Sequence, residues 1–244
     1  MNAEWIRAER DLDETYWWFV GRRELVRQLV AAYAAGPAPL ILDAGCGTGG
    51  TMSRVASLGE VAGCDASPYA LGFCRRRGFT RLAAGDVSAL PFADGCCDVV
   101  LSCDVLEHVP DDRQALAELL RVLKPGGLLL LTVPAHRFLW SEHDEALAHR
   151  RRYSARELRD LLEEAGARVE KLSPVVAAVF LPILVFRLLQ RLRPKGPEMP
   201  RTDLRVLPGP VNSLFVQALR LENWLLRRGS LPVGTSLVAV ARKL

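Results

Sequence analysis

Short apolar runs alternate along this chain with segments whose apolar residues recur at the spacing of a helix face. The helical segments lie at residues 4–35, 50–58, 112–123 and 155–165, and the runs predicted as strands lie at 40–42, 60–64, 81–84, 97–102, 128–133 and 236–242. Strands that alternate with helices at such short intervals indicate βαβ units. The pattern therefore predicts an α/β fold built on a mostly parallel sheet.

Both ends of the chain depart from this alternation. Glycine and proline at positions 36 and 37 end the first helical segment. After residue 172, two amphipathic helices at 175–193 and 213–228 flank a proline-rich stretch at 194–210. We expect four parts: a helical cap at 1–36, a core at 37–173, a basic helical insertion at 174–232 and a closing strand at 233–244.

The charge of the chain is divided unevenly. The formal net charge is +4, yet residues 1–186 hold 21 basic and 25 acidic residues, and residues 187–244 hold 11 basic and 3 acidic ones. Basic amphipathic helices are attracted to anionic membrane surfaces. We therefore expect peripheral contact with an anionic membrane through 174–232, with packing on the core or on a second subunit as the alternative. Nucleic acid is not expected, because the basic segment lacks interleaved aromatic residues.

A glycine-rich turn follows the first predicted strand and precedes a helix, as in a nucleotide-binding loop. Gly45, Gly47 and Gly50 also match the GxGxxG pattern of dinucleotide sites. An oxidoreductase that binds NAD(P) is therefore one alternative function. Asp43 places a carboxylate beside the turn, where it would repel a pyrophosphate and attract a positively charged ligand.

Two further carboxylates follow the next two predicted strands. Asp65 lies 22 positions after Asp43, where an acidic side chain can accept both hydroxyls of a ribose. Asp86 follows the third strand, in position to meet the edge of an adenine. Three carboxylates at successive strand ends, with no lysine near the turn, favour a cationic nucleoside over a phosphate-bearing one.

These residues lie in motifs that resemble those of class I S-adenosylmethionine-dependent methyltransferases. The motifs are LDAGCGTG at 42–49, Asp65, GDV at 85–87, CDVLEHV at 103–109 and LKPGG at 123–127. The aromatic segment at 16–19 and the segment at 140–153 resemble a bacterial subgroup of type 11/12-like methyltransferases. The resemblance implies a Rossmann-like fold with a mostly parallel seven-stranded sheet, helices on both faces and a helical insertion before the last strand.

The resemblance also implies S-adenosyl-L-methionine as the cofactor. Asp43 and the loop glycines would hold its methionine end, Asp65 its ribose, Asp86 with Val87 its adenine, and Cys103 would lie beside the sulfonium. The expected cofactor contacts are Asp43, Gly45, Cys46, Gly47, Gly49, Asp65, Ala66, Asp86, Val87 and Cys103.

All 4 histidines fall within residues 108–149, in a region that includes the loops after the fourth and fifth strands, where open α/β sheets bind ligands. Histidine is the natural base near neutral pH. His143, Asp144 and His149 are the predicted catalytic residues, for acceptor binding or proton removal, unless they only order the loop. His108 is expected to be structural or to lie at the cofactor's edge. The histidine spacing lacks a dense ligand pattern, so no metal site is predicted.

The predicted function is methyl transfer from S-adenosylmethionine to a small-molecule, glycan-like or lipid-linked acceptor, at oxygen. A second alternative, besides the oxidoreductase, is a non-catalytic scaffold that binds S-adenosylmethionine and docks at a membrane. The 6 cysteines include no CxxC pair and are expected to be reduced. We therefore expect a cytoplasmic protein, peripheral at the inner membrane face, and no feature of the sequence predicts an oligomeric state.

Overall fold

The computed structural model describes residue 10, residues 12–191 and residues 207–244. Its seven strands are β1 Leu40–Ala44, β2 Glu60–Asp65, β3 Leu82–Ala84, β4 Cys97–Cys103, β5 Leu123–Pro134, β6 Ala167–Val175 and β7 Ser236–Lys243. The eight helices of the described ranges are α1 Trp17–Tyr33, α2 Gly50–Val55, α3 Pro68–Arg76, α4 Asp112–Val122, α5 Glu142–Ala146, α6 Ala155–Glu164, α7 Phe180–Arg191 and α8 Gly209–Leu226.

The strands form one sheet in the order β3-β2-β1-β4-β5-β7-β6. The pairs among β1 to β5 are parallel, whereas β7 runs antiparallel to both β5 and β6. The chain builds outward from β1 to β3 and then returns to place β4 on the other side of β1. This reversal is the topological switch point at which sheets of this kind bind ligands.

The central strands are buried on both faces, which explains their nearly continuous apolar sequence. Alternate residues of β5 point to opposite sides, so Leu129 and Leu131 belong to one core cluster and Leu128 and Leu130 to the other. The helices α4 and α6 cover the first face, and α1 and α8 cover the second. The predicted sheet with helices on both faces is therefore confirmed.

Capping residues set the start of several helices. The Ser67 hydroxyl accepts the Ala70 N–H at 3.3 Å, and proline occupies the first position of α3. Ser154 and Glu157 form a capping box at the start of α6. Both serine caps are read directly from the sequence.

The structure corrects the predicted elements at several places. The β6 strand, at Ala167–Val175, is absent from the sequence prediction, and β5 begins at Leu123 rather than 128. Most of β6 alternates polar and apolar residues at the sheet edge, so it lacks the apolar run that marks the central strands. The predicted N-terminal helix is interrupted: residues 10 and 12 are helical, residues 13–15 form a turn, and α1 begins at Trp17. Residues 1–9, residue 11 and most of the proline-rich stretch, 192–206, lie outside the described part of the chain.

The late insertion packs on the core through α8. A Cβ on Gly21 of α1 would overlap the Leu219 side chain of α8, so the two helices approach closely at this point. Asn212 accepts the backbone N–H of Trp17 at 2.9 Å, and the Asn223 amide donates to the Gly21 carbonyl at 3.0 Å. Within the described residues, no helix combines the length and apolar character needed to cross a membrane.

Candidate functional site

The carboxyl ends of the parallel strands open into one cavity of about 850 Å³. Its volume falls in the range of small-molecule sites. Most of the residues predicted for the site line it: Asp43, Gly45, Cys46, Gly47, Asp65, Ala66, Asp86, Val87, Cys103, His143 and His149. The cavity wall does not include Gly49, whose N–H donates to the Cys46 carbonyl, or Asp144, which is fully buried.

The glycine-rich turn after β1 is held by hydrogen bonds from its N–H groups to the end of β2. The N–H groups of Gly45 and Cys46 donate to the Cys64 carbonyl at 2.8 and 3.0 Å, and the Gly47 N–H donates to the Asp65 carboxylate at 2.8 Å. Gly45 has a φ of +87°, which side chains rarely adopt. These N–H groups are thus engaged within the protein, unlike those that bind a pyrophosphate in dinucleotide sites.

Asp65 lies at the end of β2 with its orientation fixed. Its two carboxylate oxygens accept the N–H groups of Gly47 and Ser67, each at 2.8 Å. Burial raises its pKa, and these two hydrogen bonds oppose the shift. Each oxygen retains a further lone pair for a diol on the cavity side. Asp86 is exposed and accepts the Ser88 N–H at 2.7 Å, beside the buried Val87.

Asp43, at the end of β1, has a buried carboxylate whose hydrogen-bonding capacity is only partly used. It is 2% exposed, and its Oδ2 atom finds no hydrogen-bond partner. Burial raises its pKa to about 7, Arg22 and Arg23 oppose this, and Asp65 adds to it. A cation in the cavity would relieve this carboxylate, so Asp43 and Asp65 together fit the ammonium and ribose groups of S-adenosylmethionine.

The N-terminal aromatic segment covers the cavity. Residues 16–19 all line it, and the Arg22 guanidinium stacks on Trp18 at 4.3 Å while pairing with Asp104. The fully buried Asp13 pairs with Arg23 and Arg77 and accepts the Thr48 hydroxyl at 3.2 Å. These contacts tie the cap to the glycine-rich turn.

Asp144 organises the other side of the cavity. It accepts Nδ1 of His149 at 2.9 Å, Nε and Nη2 of Arg152 at 2.7 and 3.1 Å, and the Ser141 N–H at 2.9 Å. Burial would raise its pKa, but the hydrogen bonds from His149 and Arg152 outweigh burial and hold it well below the usual range. An ionised Asp144 keeps the proton on Nδ1 of His149, and His149 itself lines the cavity.

The basic run 150–152 fastens this loop to the loop after β4. The backbone N–H of Arg150 donates to the Glu107 carbonyl at 2.8 Å, and Arg151 donates to the Pro110 carbonyl at 2.6 Å and pairs with Asp112. Arg152 is 8% exposed and also donates to the Ala135 carbonyl. The run therefore joins two loops of the cavity and is not simply a solvated stretch of charge.

The sequence analysis did not single out Glu107, and it expected His108 to be structural or to lie at the cofactor's edge. The structure makes both residues functional candidates. Fastening the two loops brings them beside His149, whose ring meets the His108 ring edge-on with centroids 4.8 Å apart. Glu107 is fully buried, and neither of its carboxylate oxygens has a hydrogen-bond partner. Burial raises the pKa of Glu107 to about 8 and lowers that of His108 to about 4.

Comparison with known proteins points to one family. Residues 42–131 match the family model described as a methyltransferase domain. A Mycolicibacterium smegmatis protein named "Probable S-adenosylmethionine-dependent methyltransferase" is 36% identical over 163 residues, which are 65% of this chain and 62% of that protein. The demethylmenaquinone methyltransferase of Renibacterium salmoninarum is 39% identical over 115 residues, 45% of this chain and 47% of that one. The matched region thus spans about half to three fifths of these relatives.

A solved structure shares the fold over almost the whole chain. A chain from the complex of a methyltransferase with its activator in Haloferax volcanii superposes with a TM-score of 0.65. The match covers 98% of this chain and 94% of that chain at 20% identity. At this identity, the likeness shows the architecture of the sheet and its helices.

We expect Asp43 to make the protein less stable as the pH rises. Its pKa is raised in the folded state from 3.8 to about 7, so the folded state holds the proton more tightly than the unfolded state. The contribution to stability is present below pH 4 and is lost between pH 4 and pH 7, by roughly 2–4 kcal/mol. Urea unfolding from pH 4 to pH 8 measures it.

The matched control for this experiment is Asp43→Asn, which keeps the shape of the side chain and cannot ionise. The free energy of unfolding of the wild type relative to this variant should fall across the same pH window. If the free energy of unfolding depended on pH identically in the two proteins, the pKa of Asp43 would not be raised in the folded state.

Proposed function

We propose that this chain, whose residues 42–131 match the methyltransferase domain model, is a class I S-adenosylmethionine-dependent methyltransferase that methylates a hydroxyl oxygen of a small, glycan-like or lipid-linked acceptor. The observation that carries the proposal is the division of the cavity. Carboxylates for a cationic nucleoside lie at the ends of β1 and β2, and a histidine held by a buried aspartate lies at the loop after β5. Both groups line the same cavity.

The cofactor side of the proposal rests on the two strand-end carboxylates. Asp43 would hold the ammonium group, Asp65 the ribose hydroxyls, and Asp86 with Val87 the adenine, while Cys103 and the loop glycines pack alongside. When bound, S-adenosylmethionine supplies a methyl carbon made electrophilic by its sulfonium. Because this electrophile is strong, the chain's main task is to position the acceptor for in-line attack.

The acceptor side of the proposal rests on His149. Its Nε2 atom acts on the acceptor hydroxyl, either directly as a base or indirectly through a group that is bound to this nitrogen. The hydroxyl oxygen forms a bond to the methyl carbon as the carbon–sulfur bond breaks, sulfur keeps the electron pair, and the hydroxyl proton leaves to the base or to water. Asp144 is a positioning residue, since it is buried behind His149. His143, half-buried in the cavity wall, contacts the acceptor.

The oxidoreductase alternative receives no support from the glycine-rich turn. The N–H groups of Gly45, Cys46 and Gly47 are engaged within the protein, and Asp43 lies where a pyrophosphate would meet a negative charge. The non-catalytic scaffold differs from the proposal in one outcome, since it predicts binding of the cofactor without methyl transfer.

Cofactor choice is tested by isothermal titration with S-adenosylmethionine and with NAD. We expect S-adenosylmethionine to bind and Asp65→Ala to weaken it about 10- to 100-fold, because hydrogen bonds to a charged group are lost. Glu60→Ala is the matched control, since Glu60 is the exposed first residue of the same strand and pairs with Arg81. Tighter binding of NAD would overturn the proposal.

Methyl transfer is tested with isotopically labelled S-adenosylmethionine in an extract of the native cells, followed by identification of the labelled product. We expect His149→Ala to lower the transfer rate by about 10²- to 10⁴-fold and to leave cofactor affinity unchanged. His143→Ala should raise the KM for the acceptor. His136→Asn, a histidine outside the cavity wall, is the control. Unchanged transfer by His149→Ala would remove this residue from the mechanism.

We also propose that α7 and α8 rest on an anionic membrane. Successive turns of each helix expose large apolar residues: Leu181, Val185, Leu188 and Leu189 on α7, and Val211, Leu214, Leu221 and Leu225 on α8. Trp224 is half-exposed beneath the Arg228 guanidinium, at 4.1 Å, a pairing suited to a lipid interface. The other side of α7 contributes Ile183 and Arg187 to the cavity wall, which supports a lipid-linked acceptor.

Vesicle flotation tests the membrane contact. The protein should float with vesicles of phosphatidylglycerol and phosphatidylcholine, less so at high salt, and far less with phosphatidylcholine alone. The double variant Leu181→Ser, Leu188→Ser should remain in solution. Leu244→Ser is the control, because this leucine is 75% exposed and lies after β7, outside both helices. Equal flotation of the double variant and the wild type would contradict the proposal.

A further inference from the structure

Three side chains that can bind a metal converge at one point of the cavity wall. Single ligand atoms of Glu107, His108 and His149 lie within 4.8 Å of one another. Ligand atoms of a tetrahedral zinc site are about 3.3 Å apart, given metal–ligand distances of about 2.0–2.1 Å. Side-chain rotations that shorten the distances between the three atoms by about 1–1.5 Å would therefore bring them into range of one ion.

Both imidazole rings are already oriented for a ligand. Nδ1 of His149 donates to Asp144, and one ring nitrogen of His108 bonds the Ala148 carbonyl. In each ring the second nitrogen is left with a lone pair. Metal-bound histidines commonly make such an outer hydrogen bond to a carboxylate or a backbone carbonyl. The outer partners here are in place, and Arg152 in turn holds Asp144.

Glu107 supplies the independent sign of a ligand. It is 0% exposed, and neither of its carboxylate oxygens has a hydrogen-bond partner among the described residues. An ionised carboxylate buried in this way is costly unless it is paired or coordinates a metal. Arg22 and Arg152 offset the burial of this carboxyl group only in part, and an ion that the two imidazole nitrogens also bind would complete the compensation.

We propose that Glu107, His108 and His149 bind one divalent first-row metal ion, with Zn²⁺ the best match to the ligand set. Two histidines and one carboxylate, with a further position open to a cavity, form the ligand arrangement of catalytic zinc sites. The inference rests on the proposed function and deepens it, because the open position faces the space for the acceptor. A metal ion held there would lower the pKa of an oxygen ligand, so the acceptor hydroxyl could give its proton to water, and His149 would be a ligand rather than the base.

Metal binding is tested without the cofactor or the acceptor. Untagged protein is stripped with EDTA, dialysed and titrated with Co²⁺, whose visible absorption reports four- or five-coordinate nitrogen and oxygen sites. We expect one equivalent to bind, and Zn²⁺ to displace it. Glu107→Gln, His108→Asn and His149→Ala should each weaken Co²⁺ binding at least 10-fold, and His136→Asn should not. Absent saturation, or equal affinity in all variants, would overturn the inference.

Two controls keep the result interpretable. Titration with S-adenosylmethionine checks the folding of each variant, and Glu107→Gln, which keeps the shape of the side chain, decides the matter if a histidine variant fails to fold. Methyl transfer by stripped protein that binds no Co²⁺ would overturn the metal site and leave the proposed function intact. Specific Co²⁺ binding by a protein that transfers no methyl group would support the metal site and overturn the proposed function.

Discussion

The side of the cavity that we assign to the acceptor depends on the burial of one carboxylate. Asp144 has no exposure to solvent, and a buried charge persists only with partners. Those partners are Arg152, which also bonds the Ala135 carbonyl just beyond β5, together with His149 and the N–H of Ser141. Because one group joins all three, the loop from the end of β5 to α6 has little freedom to rearrange, and the position of the His149 ring follows from it.

Both oxygens of Asp144 have hydrogen-bond partners, whereas two other buried carboxylates of the site have oxygens without one. Asp43 at the end of β1 has an oxygen without a partner, and Glu107 after β4 has two. Burial raises the pKa of both carboxyl groups. Burying these two carboxyl groups without a full set of hydrogen-bond partners costs stability, and a positively charged ligand at either place would recover it. Such perturbed groups are common in binding sites. The network around Asp144 supplies the rigidity that such sites need.

Local patterns account for what could be predicted from the sequence. The central strands, the serine caps and the strand-end carboxylates Asp43 and Asp65 each depend on a few adjacent residues. The edge strand β6 escaped prediction because residues such as Arg168 and Glu170 interrupt its apolar pattern. The approach of Glu107 to His149 could not be predicted, since it depends on hydrogen bonds between loops about forty residues apart, made by the arginines at 150 and 151.

The order of the strands divides the work of the molecule along the chain. The residues that we assign to the cofactor follow β1 to β4, within the segment that matches the family model, and most of those that we assign to the acceptor come from beyond residue 131. The late insertion enters between β6 and β7, away from β1 to β4. Its helix α8 nevertheless packs on α1 of the cap, and the cap is tied to the glycine-rich turn through Asp13 and Thr48. A change in the insertion would therefore reach the cavity by two routes, directly through Ile183 and Arg187 of α7 and indirectly through α8 and the cap.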